Sequence, residues 1–180
     1  MSEIVEKTER FASKLLTEKL DPRFLYHNLR HTQRVVKSTK ELLNFYSLGD
    51  DENEQLLLAA WLHDIGYVED RENHEEASCK MATSFLGENG YDSKGITQIC
   101  KLIMATKMGH EPQNLSEEII KDADTSHFAQ SSYWETTDYL KEELKLLGIA
   151  DFSSKDWRDK NIQMFRNHHS FYTDYAKENW

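Results

Sequence analysis

Apolar residues recur along the chain at intervals of three and four, and this spacing predicts helices over most of its length. Ile4, Phe11 and Leu15 form the inner stripe of a first helix over about residues 3–20, which Asp21-Pro22 closes. A second helix follows the Tyr26-His27-Asn28 turn, with Asn28 as N-cap and Val35 and Leu42 facing inward, and runs to about residue 46. Leu48-Gly49-Asp50-Asp51 breaks the chain. The third helix, over about 52–64, is apolar all round in its second half, which marks it as the central buried element. Asn73 is placed to cap a fourth helix with the stripe Ala77, Met81, Phe85, ending near Gly87 and Gly90. Ser93 opens a fifth, with Ile96, Ile99 and Ile103 inward, and a loop containing Pro112 follows from Lys107 to Gln113. Asn114 and Glu117 form a capping box for a sixth helix through Ile119-Ile120. Ser132 with Glu135 forms another ahead of the stripe Tyr133, Thr137, Leu140, Leu144, Leu147. A last helix from about Ser154 carries Trp157, Phe165 and Tyr172. No stretch alternates long enough to predict a strand. The expected fold is all-α: one compact bundle of seven to eight helices, a single domain over residues 1–180.

Composition agrees with a helical chain. Seven glycines and two prolines in 180 residues fall well below the roughly 12 % of average usage, and β proteins spend both freely on turns. The formal net charge of −10 speaks against a nucleic acid polymer or an anionic membrane as partner. It speaks equally against assuming an anionic substrate. The longest apolar run, Leu56 to Leu62, is seven residues, far short of the roughly 17–25 that cross a bilayer. The start, Met1-Ser2-Glu3-Ile4-Val5-Glu6-Lys7, is acidic where a secretory signal would be basic, so the expected location is cytoplasmic. Cys79 and Cys100 lack C-x-x-C spacing and read as reduced, small apolar packers.

Three places put metal-binding side chains where a core residue belongs. His31 shares a face with Val35 and Leu42. His63-Asp64 ends the most apolar run of the chain, and Asp122-Ala123-Asp124 follows Ile119-Ile120. A bare carboxylate in such surroundings costs several kcal/mol unless it is paired or binds a cation. Two imidazoles and two carboxylates from three buried helices suit a divalent transition metal. Any one of these residues taken alone reads as a satisfied core side chain; the combination is what points to an ion.

His31, His63-Asp64 and Asp124 resemble the H…HD…D pattern of the HD superfamily of metal-dependent phosphohydrolases, an all-α fold. The resemblance extends over about residues 5–130. It implies that His31, His63, Asp64 and Asp124 hold a divalent cation, with Mn, Fe, Mg, Zn, Co and Ni all open. The last aspartate of the family usually follows alanine, which favours Asp124 and leaves Asp122 as the alternative. Tyr26-His27-Asn28-Leu29-Arg30-His31 is similar to the Y-H-N-x-x-H segment of cyclic-nucleotide phosphodiesterases, which implies His27 as proton donor to the leaving oxygen. Asn73–Ser78, Ala105–Met108 and Asp122–His127 resemble N-H-E-E-x-S, A-T-K-M and D-A-D-x-S-H of a bacterial HD hydrolase group, related to the HD domain of Pycsar-effector-related proteins. Two departures stand out. Tyr67 occupies the place of a further phosphodiesterase histidine, and Glu69-Asp70 comes later than the acidic pair of stringent-response hydrolases.

The expected catalytic set is His27, Asp64, Glu75 and Lys107, with His74, His110, Asp122, His127 and Arg30 as candidates for a second ion or for substrate. Each has a plainer reading. His74 and Glu75 suit a solvated first turn, Lys107 suits a helix C-terminus, and His110 beside Glu111 suits solvent. Ser126 and His127 are expected to line the pocket, and Asn167-His168-His169 its rim, while Trp157 and Phe165 read as core. Together these residues lead to hydrolysis of a small phosphate ester, a nucleotide first, by metal-activated water. The alternatives are a nucleotide-sensing module without turnover and a di-iron oxygenase, which would need His74 and His110 as ligands. A homodimer stays open.

Overall fold

The computed structural model describes residues 2–167 and 169–180. Its helices are α1 (Glu3–Glu18), α2 (Leu29–Phe45), α3 (Asp50–Leu62), α4 (His74–Glu88), α5 (Ser93–Ala105), α6 (Leu115–Thr125), α7 (Tyr133–Leu146), α8 (Ser154–Asn167) and α9 (Asp174–Asn179). Short 3-10 turns, Ile65–Val68 and Ser126–Ala129, follow α3 and α6. Among the described residues there are nine α-helices and no strand, so the fold is all-α with one helix more than expected.

α3 is the axis. Leu56, Leu58, Ala59, Ala60 and Leu62 are fully buried, and α1, α2, α5 and α6 all pack against them. Each leucine so enclosed contributes roughly 1.5–3 kcal/mol. A helix apolar all round has no face left for water, which is why the densest run of the sequence ends up innermost.

The neighbours of α3 are rotated from the simplest reading of their stripes. α1 buries Val5, Thr8, Ala12 and Leu16, while Ile4, Phe11 and Leu15 lie half-buried at the edges. α4 buries Ala77, Ser78, Ala82 and Leu86 and leaves Met81 and Phe85 at the border. The buried sets mix small residues with Val5, Leu16 and Leu86, and the aromatic members of each stripe lie at its border. Phe11 and Phe85 then stack on each other, ring centroids 4.1 Å apart.

Caps follow sequence in part. Asn28 accepts from Arg30 N–H, and Asn114 from Glu117 N–H. Asn73 makes no side-chain cap on α4. Instead Asp70 Oδ1 accepts the N–H groups of Glu72 and Asn73 at 2.9 and 3.0 Å, having reached them first from three residues upstream. Ser132 caps nothing either. Asp92, unremarked in the pattern, caps α5.

The last predicted helix is two. The buried carboxylate of Asp122 accepts the Tyr172 N–H, the Thr173 N–H and the Thr173 hydroxyl at 2.9, 2.8 and 2.7 Å. Those amides face Asp122, so Tyr172 lies between helices and Thr173 becomes the cap of α9.

Gly66 fixes α4 against the end of α3. A Cβ there would meet His74 O at 2.0 Å and Ser78 N at 2.6 Å. Through this gap Gly66 N–H donates to Ser78 Oγ at 2.8 Å, and the same hydroxyl donates to His63 O at 2.6 Å. The first turn of α4 is thereby brought against His63-Asp64.

Candidate metal centre

α2, α3 and α6 converge on one polar point inside the bundle. His31 comes from the first turn of α2, His63 and Asp64 from the end of α3, and Asp124 from the last turn of α6. Ligand atoms of His31, His63 and Asp124 all lie within 4.8 Å of one another. His31 Nε2 is 3.0 Å from Asp124 Oδ1 and 3.2 Å from both His63 Nε2 and Asp64 Oδ2. His63 Nε2 is 3.2 Å from Asp64 Oδ2 and 3.7 Å from Asp124 Oδ1.

Burial makes this arrangement costly without a cation. Burial alone would discharge Asp64, yet the charge of His63 and the adjoining His31 ring hold its carboxyl well below the usual range. Conversely, burial disfavours a charged His63, but Asp64 and Asp124 outweigh it and push its pKa up to about 9. The pocket therefore demands positive charge at its centre.

The donor set fits a divalent ion. His63 Nδ1 is 3.0 Å from Ala60 O and donates to it, which fixes the ring and leaves the Nε2 lone pair for a cation. Asp64 Oδ2 is buried and accepts no hydrogen bond, an orphan that coordination would satisfy. One contact opposes it. Arg34 Nη2 donates to His31 Nδ1 at 2.8 Å, which places the neutral ring's proton on Nε2. An ion on Nε2 requires the other tautomer, so its binding displaces this guanidinium.

A second layer of groups adjoins the cluster. The ring of Tyr67 stacks on His74 at 3.9 Å and tilts against His27 at 4.7 Å. His74 Nε2 lies 3.7 Å from Asp64 Oδ1 and 3.5 Å from Glu75 Oε1. Glu75 is buried, and its Oε2 has no partner. These residues, with His27, Thr106 and Met108, line a cavity of about 170 Å³. Met108 stands 97 % exposed at its mouth.

His27 is held by a residue that the stripe of α7 conceals. Glu143 is 2 % exposed; its Oε1 lies 2.5 Å from His27 Nδ1, and its Oε2 accepts the N–H groups of Tyr26 and His27. Burial works against charge on His27, but the Glu143 bond and charge, with Asp64 and Asp124 beyond, keep its pKa above the ordinary imidazole value. The only hint in sequence is position: Glu143 falls beside Leu140, Leu144 and Leu147 on the inner side of its helix.

Other expected residues lie apart from the cluster. Lys107 Nζ pairs with Glu76 at 2.6 Å, and His110 Nε2 with Glu117 at 2.9 Å, both outside the cavity lining. With His110 so placed, the cluster lacks one of the histidines a di-iron centre would need. Asp122 points away, to Tyr172 and Thr173. His127 packs behind the centre, 3.2 Å from the Tyr26 hydroxyl, and burial with the charges of Arg34 and His31 drives its pKa down to about 3. Ser126 pairs with Ser38. Arg30 is exposed and, with Arg34, borders a separate cleft of about 240 Å³ on the far side of Tyr26 and His31. Asn167 ends α8 and His169 packs on Phe128 at 4.5 Å, both away from the cavity, while His168 lies outside the described residues. Trp157 is core, whereas Phe165 is 38 % exposed.

A family model described as HD domain matches residues 28–129. The chain belongs to the HD-domain family. The matched span is more than half of the chain and contains all four residues of the cluster. HD domains are metal-dependent phosphohydrolases that bind divalent cations, in keeping with the grouped His31, His63 and Asp124. His27 and the whole of α7 fall outside the span. Searches of curated proteins and of solved structures return no match. Among the described residues no helix is long and apolar enough to cross a membrane.

Proposed function

We propose that this HD-domain protein hydrolyses a small phosphate ester, a nucleotide first among them, with His31, His63, Asp64 and Asp124 holding one divalent cation. The observation that carries the reading is the Glu143–His27 pair set beside the cluster: a proton donor with its own buried carboxylate is of no use to a cation store. A bound cation supplies a water of lowered pKa and offsets the charge of the phosphoryl oxygens. His27 keeps its proton at Nε2, since Nδ1 is committed to Glu143, and delivers it to the departing oxygen. Glu75, with an unpartnered buried Oε2, takes a proton from the attacking water. Tyr67 holds the His27 and His74 rings apart.

The cavity of about 170 Å³ accommodates a phosphoryl group and leaves the rest of the ester at the mouth, near Met108. Lys107 and Arg30 stand outside that cavity, so the charge of the phosphoryl group falls to the cation and His27. A net charge of −10 is then no obstacle, because the cation provides the positive charge locally. Residues 1–180 act as one domain in this reading, since α7, beyond the matched span, supplies Glu143. The partner is a small molecule and the location cytoplasmic.

The test is metal analysis of the purified protein, then phosphate or nucleoside release from a panel of nucleoside mono-, di- and cyclic phosphates with that metal added. Release that disappears in His63→Ala supports hydrolysis. No release from any member leaves the nucleotide-sensing module as the reading.

A further inference from the structure

Away from the metal cluster, α4 and α5 bring the chain's two cysteines face to face. The Cys79 thiol donates to Cys100 O at 3.5 Å, and the Cys100 thiol to Cys79 O at 3.7 Å. This reciprocity puts each sulfur over the other's backbone across one helix–helix seam. Thr83 Oγ1 sits 3.6 Å from Cys100 Sγ while bonded to Cys79 O at 2.8 Å, which ties the pair from one side. Both residues are half-buried, so a small reagent reaches them, and both sit on helices rather than in a loop. Inert core cysteines need none of these features.

We propose that Cys79 and Cys100 are a redox-modification site, which a low-molecular-weight disulfide converts to an intramolecular disulfide across the α4–α5 seam. The contact between the two thiols lowers the pKa of Cys100 and raises that of Cys79, so Cys100 is the first of the pair to give up its proton. The Cys100 thiolate attacks one sulfur of the reagent, breaks its S–S bond and expels one thiolate. Cys79 then loses its proton and attacks Cys100 Sγ, expelling the second thiolate. In balance, two protein thiols give up two protons and two electrons, and the reagent disulfide becomes two thiols. The site is independent of phosphoester hydrolysis, although α4 and α5 also carry Glu75 and lead into Thr106 of the cavity wall.

The experiment treats the full native chain with oxidised glutathione, blocks remaining thiols with N-ethylmaleimide and reads intact mass and the linked peptide. Expected are the loss of two hydrogens, no N-ethylmaleimide adduct, and a peptide joining Cys79 to Cys100 in the monomer. The reaction slows as pH falls, because only the thiolate attacks the reagent. Glutathione adducts that persist on either cysteine, linkage only between two chains, or a cross-link that forms only in urea overturns the proposal.

Discussion

Glu143 on α7 holds His27 through Nδ1 at 2.5 Å and through its backbone N–H at 3.0 Å, and accepts the N–H of the preceding Tyr26 at 2.7 Å. A carboxylate 116 residues away in sequence thus sets both the loop and the ring of the proposed proton donor. The buried negative charge favours the protonated ring, and the sign of the pH dependence follows. A histidine whose pKa is raised keeps its proton beyond the usual value and loses it only as pH climbs through the raised one.

Hydrolysis is accordingly expected to fall on the alkaline side of a pKa above 6.5. Glu143→Gln removes the charge but keeps the shape, so this limb moves to lower pH. His27→Ala lowers kcat by about 10²–10⁴ with metal content unchanged, the range for loss of one general acid. A pH–rate profile of the three proteins checks both; a limb that stays put in Glu143→Gln contradicts the pairing.

The ion and a proton compete for His63. Its pKa of about 9 without a cation means that an ion entering at Nε2 must displace that proton. Apparent affinity for a divalent cation should rise by up to about tenfold per pH unit as pH climbs toward about 9 and then level off. In the ion-free protein the sign is opposite, since the stabilisation from charged His63 is full below 6.5 and is lost as pH passes about 9. Calorimetric titration with Mn²⁺ across this range, with His63→Ala as the variant expected to lose binding, measures it.

What could be read from the chain divides along a physical line. The helices, the buried α3 and the H…HD…D residues announce themselves because each is written within a few turns of sequence. The rotation of α1 onto Val5 and Ala12 does not, since close backbone approach is a property of two helices at once. Glu143 is hidden for a related reason: its partner His27 lies 116 positions away, and in a helix rich in charge its place beside the leucine stripe is the sole local mark. Asn73 and Ser132 are caps by type and position, but a cap forms only where the preceding backbone delivers the side chain, and before α4 Asp70 holds the backbone N–H groups of Glu72 and Asn73 while Asn73 caps nothing.

Asp122 and Asp124 are two residues apart on α6 and face opposite duties. Asp122 closes the C-terminal segment through three hydrogen bonds to Tyr172 and Thr173. Asp122→Ala leaves those buried donors without acceptors and should cost about 2–4 kcal/mol, with metal content intact. Asp124→Ala should lose the metal instead. Urea unfolding together with metal analysis of both variants separates the two; loss of metal in Asp122→Ala alone would reverse their roles.

Gly66 offers the sharpest steric test of how α4 reaches the centre. The added methyl of Gly66→Ala would overlap His74 O and Ser78 N, both backbone atoms that cannot turn aside as a side chain can. The Gly66 N–H to Ser78 bond and the Ser78 to His63 O bond cross the same gap, so relieving the overlap breaks them. A cost of at least about 3 kcal/mol is expected, above the usual range for a surface change. The displaced turn carries His74 and Glu75, whose contacts with Asp64 and with each other are 3.7 and 3.5 Å. Activity should therefore fall further than the folded fraction does. Comparing kcat per folded molecule with the urea midpoint distinguishes displacement of α4 from simple unfolding, because simple unfolding leaves kcat per folded molecule unchanged.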